Sequence, residues 1–401
     1  MKYDFTSILQ RAGHDAIAVD LPTNYKGTFE GVIREEGFDV IPMWIADMNF
    51  PVVPKIQEEI SKRLAHPTFG YFEAREEYYN AIINWQKSRN HLELTKENIG
   101  YENGVLGGVV SAMKVFASNG DNVLVHSPTY IGFTMSLENN GYHIIHSPLK
   151  KENDTWVMDY EDMEKKIKEN HIHVAIVCNP HNPCGRAWSK EELEKAALLF
   201  EKYQVSIICD EIWSDIILDN NTHVPFININ DYTKQNTIAL YAPSKTFNLA
   251  GLIGAYHIIY NPLLIDRHNK EASLSHYNNM NVLSMYGLIG AYSKDGEEWL
   301  EELKEVLSNN IQYAYDFITN NFHGVSLIKP EATYMLYIDC EQYVKDHNIT
   351  LDELLHRGWK YGVYWQDGRP FHKEYAIRMN LALPLEKVKE AFDRLQEYVF
   401  I

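Results

Sequence analysis

A single lysine, Lys245, stands in a setting that could give it nucleophilic chemistry. It follows the apolar run Thr237–Tyr241, has small and apolar neighbours, and precedes a turn through Asn248 and Gly251. Most lysines are solvated surface charges, and that interpretation is open here too. Partial burial at the end of a strand would instead lower the pKa of the amine and make it a usable nucleophile or base. Lysines of this kind form Schiff bases with carbonyl cofactors, above all pyridoxal phosphate.

Three other side chains follow apolar runs that are typical of strands. Asn182 belongs to the second of two Asn-Pro pairs in one loop, which would hold it rigidly as a hydrogen-bond donor unless the motif is only a tight turn. Asp210 follows the run 205–209, where a pyridinium N–H would suit its carboxylate, although a lone Asp there is more often a helix cap. Tyr130 follows shortly after 122–126 and could stack on a flat ring or pack in the core.

Two more features could bind the charged groups of a cofactor or a substrate. Gly104 and Val105 lie in a glycine-rich stretch that starts a helix, whose free backbone N–H groups could hold a phosphate. Arg378 lies in the apolar run 375–379, where it could hold a carboxylate with two hydrogen bonds or form a structural ion pair. In chain order, these features match what a pyridoxal phosphate site on a parallel sheet requires.

Short apolar strands alternate with helices over most of the chain. The strands are predicted at 122–126, 143–145, 173–178, 205–209, 237–241 and 255–260. Near-continuous apolar strands separated by helices, such as those at 159–169 and 189–203, indicate an α/β fold with a mostly parallel sheet covered on both faces. Such a sheet binds ligands outside the carboxyl ends of its strands, which is where the polar residues above stand.

The chain is predicted to form two domains. Residues 50–285 form a large α/β domain, and residues 1–49 together with 286–401 form a smaller domain built from both ends of the chain. The smaller domain is predicted to hold a long helix at 297–321, strands at 334–338 and 375–379, and a final helix at 384–399. The apolar segment 41–50 is either a core strand of this domain or a wall of a substrate pocket.

Composition narrows the class of protein. The 401 residues carry a net charge of −18, which argues against nucleic acid or an anionic membrane as a partner. The N-terminus lacks the regions of a signal peptide, and no apolar run is long enough to span a bilayer. The four cysteines fit neither a disulfide framework nor a zinc site, and the 17 histidines form no HExxH-like cluster. The sequence therefore predicts a cytoplasmic protein with free thiols and no metal.

Several motifs together resemble those of the fold-type I pyridoxal phosphate enzymes, the aspartate aminotransferase superfamily, over nearly the full length. Within it, the chain resembles the MalY/PatB group of cystathionine β-lyases, also called cysteine-S-conjugate β-lyases. The resemblance implies a large domain with a mostly parallel seven-stranded sheet, plus a smaller α+β domain. The motifs are Trp44-Ile45-Ala46-Asp47-Met48, Asn179-Pro180-His181-Asn182-Pro183, Gly185-Arg186 with Trp188, Asp210-Glu211-Ile212 and Ser244 to Leu252.

The resemblance also implies a role for each candidate residue. Lys245 would bind pyridoxal phosphate as a Schiff base and act in catalysis, and Tyr130 would stack on the ring and share in catalysis. Asp210 would pair with the pyridine nitrogen and Asn182 with the ring oxygen. Further cofactor contacts would come from Gly104, Val105, Ser244 and Trp213, and substrate contacts from Arg378, Ala46 and Asn182. Tyr71 would reach the phosphate of the neighbouring subunit, which implies a homodimer with shared active sites.

Four positions depart from the pattern of these enzymes. Trp213 stands where aminotransferases often have tyrosine and the lyases histidine, so the tuning of the ring oxygen is in doubt. Ile253 replaces a phosphate-binding arginine that the lyases also commonly lack. Cys184 stands where threonine or valine is usual, and Asn49 where the lyases usually carry aspartate. Both could alter substrate choice.

The implied activity is β-elimination from an L-cysteine S-conjugate such as L-cystathionine, giving a thiol, pyruvate and ammonia. The first alternative is a class I/II aminotransferase, which would use the same residues with an oxo-acid acceptor. The second is a binding or regulatory protein. A purified protein that fails to retain pyridoxal phosphate would favour this alternative. A DNA-binding role lacks support, because the chain is acidic and has no basic helix-turn-helix extension.

Overall fold

The computed structural model describes residues 1–274 and 278–401. Its strands, in chain order, are β1 (Ile41–Pro42), β2 (Ile99–Glu102), β3 (Asn122–Ser127), β4 (His143–Pro148), β5 (Lys150–Glu152), β6 (Thr155–Val157), β7 (Val174–Cys178), β8 (Ser206–Asp210), β9 (Thr237–Tyr241), β10 (Ala255–Ile258), β11 (Ser326–Leu327), β12 (Met335–Asp339), β13 (Val363–Tyr364), β14 (Gln366–Asp367) and β15 (Ala376–Asn380).

The helices alternate with these strands along the chain. In order they are α1 (Ile17–Thr23), α2 (Pro54–Leu64), α3 (Glu76–Asn90), α4 (Val105–Phe116), α5 (Ile131–Asn139), α6 (Tyr160–Glu169), α7 (Lys190–Tyr203), α8 (Asp231–Asn236), α9 (Pro262–Leu274), α10 (Val282–Ala291), α11 (Lys294–Asn321), α12 (Glu341–Asp346), α13 (Leu351–Lys360) and α14 (Leu385–Tyr398).

The large sheet places the carboxyl ends of its parallel strands at one edge. Within the described ranges it has seven strands, in the order β2-β10-β9-β8-β7-β3-β4. Neighbours from β9 to β4 are parallel, and β10 alone runs antiparallel to β2 and β9. The mostly parallel seven-stranded sheet is therefore confirmed. Asp210 pairs in register with Leu240, so the ends of β8 and β9 lie side by side.

Both faces of this sheet are buried, as the uniform apolar strands predict. In β8, Ile207 and Cys209 pack into one apolar cluster, and Ile208 packs into a second cluster on the opposite face. The alternation follows from the pleat, which points successive side chains to opposite faces. Helices therefore have to cover both sides, and the polar residues needed for chemistry are displaced to the ends of the strands.

A smaller antiparallel sheet lies in the C-terminal part of the chain. Its order is β11-β12-β15-β14, and β12 and β15 pair along their full length. Strand β1, from the N-terminal part, pairs in parallel with β13, so both ends of the chain meet here. Of the segment 41–50, only Ile41–Pro42 forms a strand. The domain boundaries at residues 50 and 285 stay a prediction.

Local signals placed most helices correctly. Ser189 caps α7 by accepting a hydrogen bond from the Glu192 N–H, and the Glu192 side chain completes the predicted capping box. The apolar spacing from about residue 73 to residue 89 also predicts a helix, which in the structure begins at Glu76. Residues 1–49 carry a turn-rich run that predicts irregular structure, but they contain α1. Strand β2 was not predicted, because its sequence, Ile-Gly-Tyr-Glu, lacks an apolar run.

No helix in residues 1–274 and 278–401 combines the length and the apolar character that a transmembrane span needs. Cys178, Cys184, Cys209 and Cys340 are all buried and none is in a disulfide, as the sequence predicts.

Candidate active site

Lys245 lies in the turn after β9, with its amine at the floor of a cavity. The amine donates a hydrogen bond of 3.0 Å to the Ala46 carbonyl and lies 5.9 Å from the centre of the Trp213 ring. Burial and, second, the positive charge of Arg378 lower the pKa of the Lys245 amine to about 8. About a tenth of the amine is therefore unprotonated at pH 7, far more than for an ordinary lysine, as a nucleophile or base requires.

Asp210, the last residue of β8, is a carboxylate with few partners. Its side chain is 3% exposed, and Oδ1 accepts a hydrogen bond of 3.0 Å from the Ile212 N–H. Among the described residues, no Lys, Arg or His forms an ion pair with Asp210. Burial raises the pKa of the Asp210 carboxyl to about 7. The site therefore has an acceptor that lacks a cationic donor.

Arg378, in β15, is a buried cation that lacks an anionic partner among the residues that the structure describes. It is 3% exposed, and its Nη1 donates a hydrogen bond of 3.1 Å to Asn182 Oδ1. Its Nε is buried without a hydrogen-bond partner, and the guanidinium lies 4.6 Å from the centre of the Phe371 ring. Burial lowers the pKa of Arg378 to about 10. No carboxylate in the described part of the chain pairs with it, so an anionic ligand would find an unused donor here.

Lys245 and Asp210 line one cavity of about 200 Å³, which adjoins a groove of about 900 Å³. The cavity also contacts most of the other residues that the sequence singled out. They are Ala46, Gly104, Val105, Tyr130, Asn182, Trp213, Ser244 and Ile253. Arg378 lines the adjoining groove together with Lys245 and Tyr130. The structure therefore brings together every predicted site residue except Tyr71.

The start of α4 forms one end of this cavity. Gly104 precedes the helix with a φ of +81°, a conformation that side chains rarely adopt, and no heavy atom outside its own chain neighbours lies within 4 Å of where a Cβ would be. The first N–H groups of α4 have no partner within the helix. This helix start presents donors to the cavity, which suits a phosphate.

Two aromatic residues form walls of the cavity. Tyr130 directly precedes α5 and packs edge-on against Phe133, with ring centres 5.4 Å apart. Burial raises the pKa of Tyr130, whereas Arg378 acts in the opposite direction. Trp213 packs edge-on against Tyr334, with ring centres 4.7 Å apart. Both rings serve in core packing and line the cavity.

The remaining predicted positions lie around the site. Tyr71 is fully exposed in the segment between α2 and α3, outside the cavity. Asn49 is buried, and its Oδ1 accepts a hydrogen bond of 2.7 Å from Arg11 Nη1. Arg11 also forms an ion pair of 2.6 Å with Asp47, which lines the groove. Cys184 is buried but does not line the cavity.

The sequence did not single out every residue at the site. Cys178 ends β7 and lines the cavity, and the rule that located Asp210 at the end of β8 could have found it. Phe371 and Gln366 line the groove from the small sheet and its flanking turn, and Arg11 lines it from the N-terminal segment. These residues come from parts of the chain where no sequence signal pointed to a site.

The chain is similar to known proteins over nearly its whole length. Residues 39–395 match the family model described as aminotransferase class I and II. The cystathionine beta-lyase PatB of Bacillus subtilis (strain 168) is 32% identical over 361 residues, which cover 89% of this chain and 92% of that protein.

Two solved structures are similar in fold and in sequence. The PLP-bound C-S lyase from Staphylococcus hominis has a TM-score of 0.89 at 29% identity, covering 100% of this chain and 99% of that one. Cystalysin from Treponema denticola, which contains a pyridoxal 5'-phosphate cofactor, has a TM-score of 0.90 at 28% identity, covering 99% and 98%. The chain therefore belongs to the aminotransferase class I and II family of fold-type I pyridoxal phosphate enzymes, and within it to the group of the PatB and MalY cystathionine beta-lyases.

Proposed function

We propose that this protein is a pyridoxal phosphate-dependent carbon–sulfur β-lyase. It cleaves L-cystathionine or related L-cysteine S-conjugates to a thiol, pyruvate and ammonia. The observation that carries the proposal is the set of three unbalanced groups around one cavity: the Lys245 amine with its lowered pKa, the Asp210 carboxyl without a cation, and the Arg378 guanidinium without a carboxylate. The relatives named as cystathionine beta-lyase and C-S lyase support this chemistry over others of the family.

The residues present fit pyridoxal phosphate. Asp210 would accept a hydrogen bond from the pyridinium N–H, which removes the cost of burying its carboxylate unpaired. The backbone at Gly104 and Val105, where the unpaired N–H groups of α4 begin, would hold the phosphate. Tyr130 would lie against the ring, and Lys245 would attach the cofactor covalently. The other cofactor contacts would come from Asn182, Trp213 and Ser244, which line the same cavity.

The bound cofactor supplies an electron sink for charge that develops at the substrate Cα. Arg378 orients the substrate by binding its α-carboxylate, with Asn182 and the Ala46 backbone completing the contact surface. Lys245 takes the Cα proton, since its pKa of about 8 lets it accept and return protons near neutral pH. The departing thiolate needs a proton at sulfur, which Lys245 or Tyr130 can supply from the cavity wall.

The test is direct. The purified protein should be yellow with bound cofactor, and incubation with L-cystathionine in the absence of any oxo acid should release pyruvate and a thiol in equal amounts. Both products can be followed by a coupled dehydrogenase assay and a thiol reagent. Pyruvate release without an added acceptor is the decisive result, because transamination cannot produce it.

A yellow protein that makes no pyruvate, but converts amino acids once an oxo acid is added, would overturn the lyase proposal. It would indicate the alternative, a class I/II aminotransferase. Trp213 would then be the first residue to examine, because it replaces the histidine or tyrosine expected beside the cofactor.

We also propose a homodimer with shared active sites and a location in the cytoplasm. Tyr71 supports the dimer, because it is exposed together with Phe69 and Phe72 in one segment, and such a group of exposed aromatic side chains is typical of an interface with a neighbouring subunit. Four buried free thiols suit a reducing compartment.

A further inference from the structure

A second cluster of chemically capable side chains lies apart from the cavity. Glu102 ends β2, His257 lies in β10 and His268 lies in α9. Glu102 Oε1 is 2.7 Å from His257 Nδ1 and 3.2 Å from His268 Nε2. One ligand atom from each residue can be chosen so that all three lie within 4.8 Å of one another. Glu102 is not among the residues that line the cavity.

The cluster is sealed from solvent and its charges are not balanced by a neighbouring cation. The side chains of Glu102 and His268 are 0% exposed, and that of His257 is 4% exposed. Among the described residues, neither Lys nor Arg forms an ion pair with Glu102. A buried carboxylate of this kind is expensive unless a cation or a proton compensates it.

His268 gives an independent indication of a missing ligand. Both of its ring nitrogens are buried without a hydrogen-bond partner, although Nε2 points at the Glu102 carboxylate. Buried imidazole nitrogens are normally satisfied, so each such group needs an explanation. A metal ion between Nε2 and the carboxylate would use this nitrogen.

Gly100, which has no side chain, leaves room for the imidazole of His257. His257 pairs in register with Gly100 of β2. A Cβ at Gly100 would lie 2.2 Å from His257 Cε1, a distance that real Cβ atoms do not reach. Only glycine at position 100 therefore allows the ring to lie over the strand and to face Glu102.

We propose that Glu102, His257 and His268 bind a divalent transition-metal ion, with zinc the best match, at a structural site. Two imidazoles and a carboxylate form a ligand set that zinc favours. Tetrahedral zinc with bonds of about 2.0–2.1 Å separates its ligand atoms by about 3.3 Å. Glu102 Oε1 lies 2.7 and 3.2 Å from the two imidazole nitrogens, and the three ligand atoms lie within 4.8 Å of one another, so the three groups already lie near the spacing that the ion needs.

The ion would join strands β2 and β10 to helix α9, because each of these elements supplies one ligand. Asn278 Nδ2 donates a hydrogen bond of 2.8 Å to Glu102 Oε2, and Asn278 Oδ1 accepts one of 3.0 Å from the Asn103 N–H. Asn103 directly precedes Gly104, where α4 begins. A metal ion bound to Glu102 would therefore restrict the position of Glu102 and Asn103, the two residues that lead into the start of α4. The proposal does not depend on the proposed lyase activity.

The experiment uses the untagged, cofactor-loaded protein. It is stripped of metal with a chelator, dialysed and titrated with Co²⁺, and the bound metal is counted by elemental analysis and by the visible absorption of the cobalt protein. We expect about one tightly bound ion per chain in the wild type, falling below about 0.1 in Glu102→Gln and His268→Gln. Zinc should displace the cobalt and abolish its visible spectrum.

The matched control is His173→Gln. His173 is a partly exposed histidine 3.4 Å from Asp121, so it has a similar donor set on the surface. This variant should keep the full metal content. The proposal is overturned if the wild type binds less than about 0.1 ion per chain, or if His173→Gln rather than the cluster variants loses the metal. If both cluster variants fail to fold, the cobalt spectrum of the wild type decides: nitrogen and oxygen ligation in a four- or five-coordinate site supports the proposal, and an octahedral all-oxygen spectrum overturns it.

Discussion

At the scale of single residues, the cavity depends on charges that act on one another. Asp210 and Arg378 are buried and Lys245 is partly buried, and the pKa of each is shifted toward its neutral form by burial. Arg378 also lowers the pKa of Lys245, so a residue proposed to bind the substrate tunes the residue proposed to move its proton. Changing Arg378 or Asp210 should therefore alter the pKa of Lys245.

Replacing Lys245 by alanine should lower the rate of pyruvate release by at least about 10³-fold, because both the covalent attachment of the cofactor and the proton transfer at Cα are lost. The measurement is the steady-state rate with L-cystathionine. Lys190→Ala, which removes a lysine side chain that is 65% exposed, is the control and should keep the wild-type rate. Near wild-type turnover by a folded Lys245→Ala protein would contradict the assignment.

The pH dependence of cofactor uptake should report the lowered pKa of Lys245. Only the unprotonated amine attacks a carbonyl, so the rate of uptake by the apoprotein should rise with pH through a midpoint near 8 and level off about one pH unit above it. Arg378→Met removes a cause of the lowering and should move this midpoint to higher pH. Arg267→Met, at an exposed arginine, should leave it unchanged. Uptake that rises steadily to pH 10 in the wild type would show an ordinary lysine.

Much of the candidate site was predictable at this scale. Asp210 ends one strand of the parallel sheet, and Asn182 and Lys245 lie in the turns after two neighbouring strands. Such strands end at one edge, so the proximity of these residues follows from topology. The pairing of Arg378 with Asn182 does not, because it joins two sheets whose relative position no local pattern encodes. Phe371 under the guanidinium was missed for the same reason.

At the scale of elements, the fold depends on close contacts that single glycines permit. Helix α10 crosses α2 at Gly290, where a Cβ would lie 2.7 Å from Ile56 Cα and 2.8 Å from the Lys55 carbonyl oxygen. Both atoms belong to the backbone, so no side chain can move aside. The two helices can therefore approach this closely only with glycine at position 290.

Gly290→Ala should lower the free energy of unfolding by about 1–3 kcal/mol, because the added methyl group forces the helices apart. The urea midpoint of the apoprotein is the measurement. Gly251→Ala is the matched control, since no heavy atom lies within 4 Å of where its Cβ would be. Equal midpoints for the two variants would show that α2 and α10 separate without cost.

Strong local signals predicted elements well, and weak ones did not. The capping box at Ser189 and Glu192 fixed the start of α7. Strand β2 is held by its pairing with β10, in which Gly100 and Tyr101 oppose His257 and Tyr256. Its own residues carry little preference for a strand, so only the partner reveals it.

At the scale of the whole molecule, the exposed Tyr71 bears on assembly. If it completes the site of a neighbouring subunit, the proposed dimer has two sites, each built from both chains. Co-expressing Lys245→Ala with Tyr71→Ala then tests this arrangement. Each variant alone should be inactive or nearly so, whereas a hybrid dimer contains one site with both native residues.

Random assembly should restore about a quarter of the wild-type activity per chain, because half of the dimers are hybrids and each carries one intact site. The control mixes Lys245→Ala with Asp210→Asn, which act in the same chain, so no hybrid site is intact. Activity should not return there. A monomeric mass, or no recovery in the first mixture, would contradict the shared site.

The cavity is closed by contacts between distant parts of the chain. The Lys245 amine reaches the Ala46 carbonyl across 199 positions, and Arg378 reaches Asn182 across 196. During synthesis, the large sheet can form before Arg378 has been made, but the full set of groups around the cavity cannot. A chain that stops short of Arg378 has every residue proposed to contact the cofactor but lacks the group proposed to bind the substrate carboxylate, so the yellow colour of a preparation does not by itself count active chains.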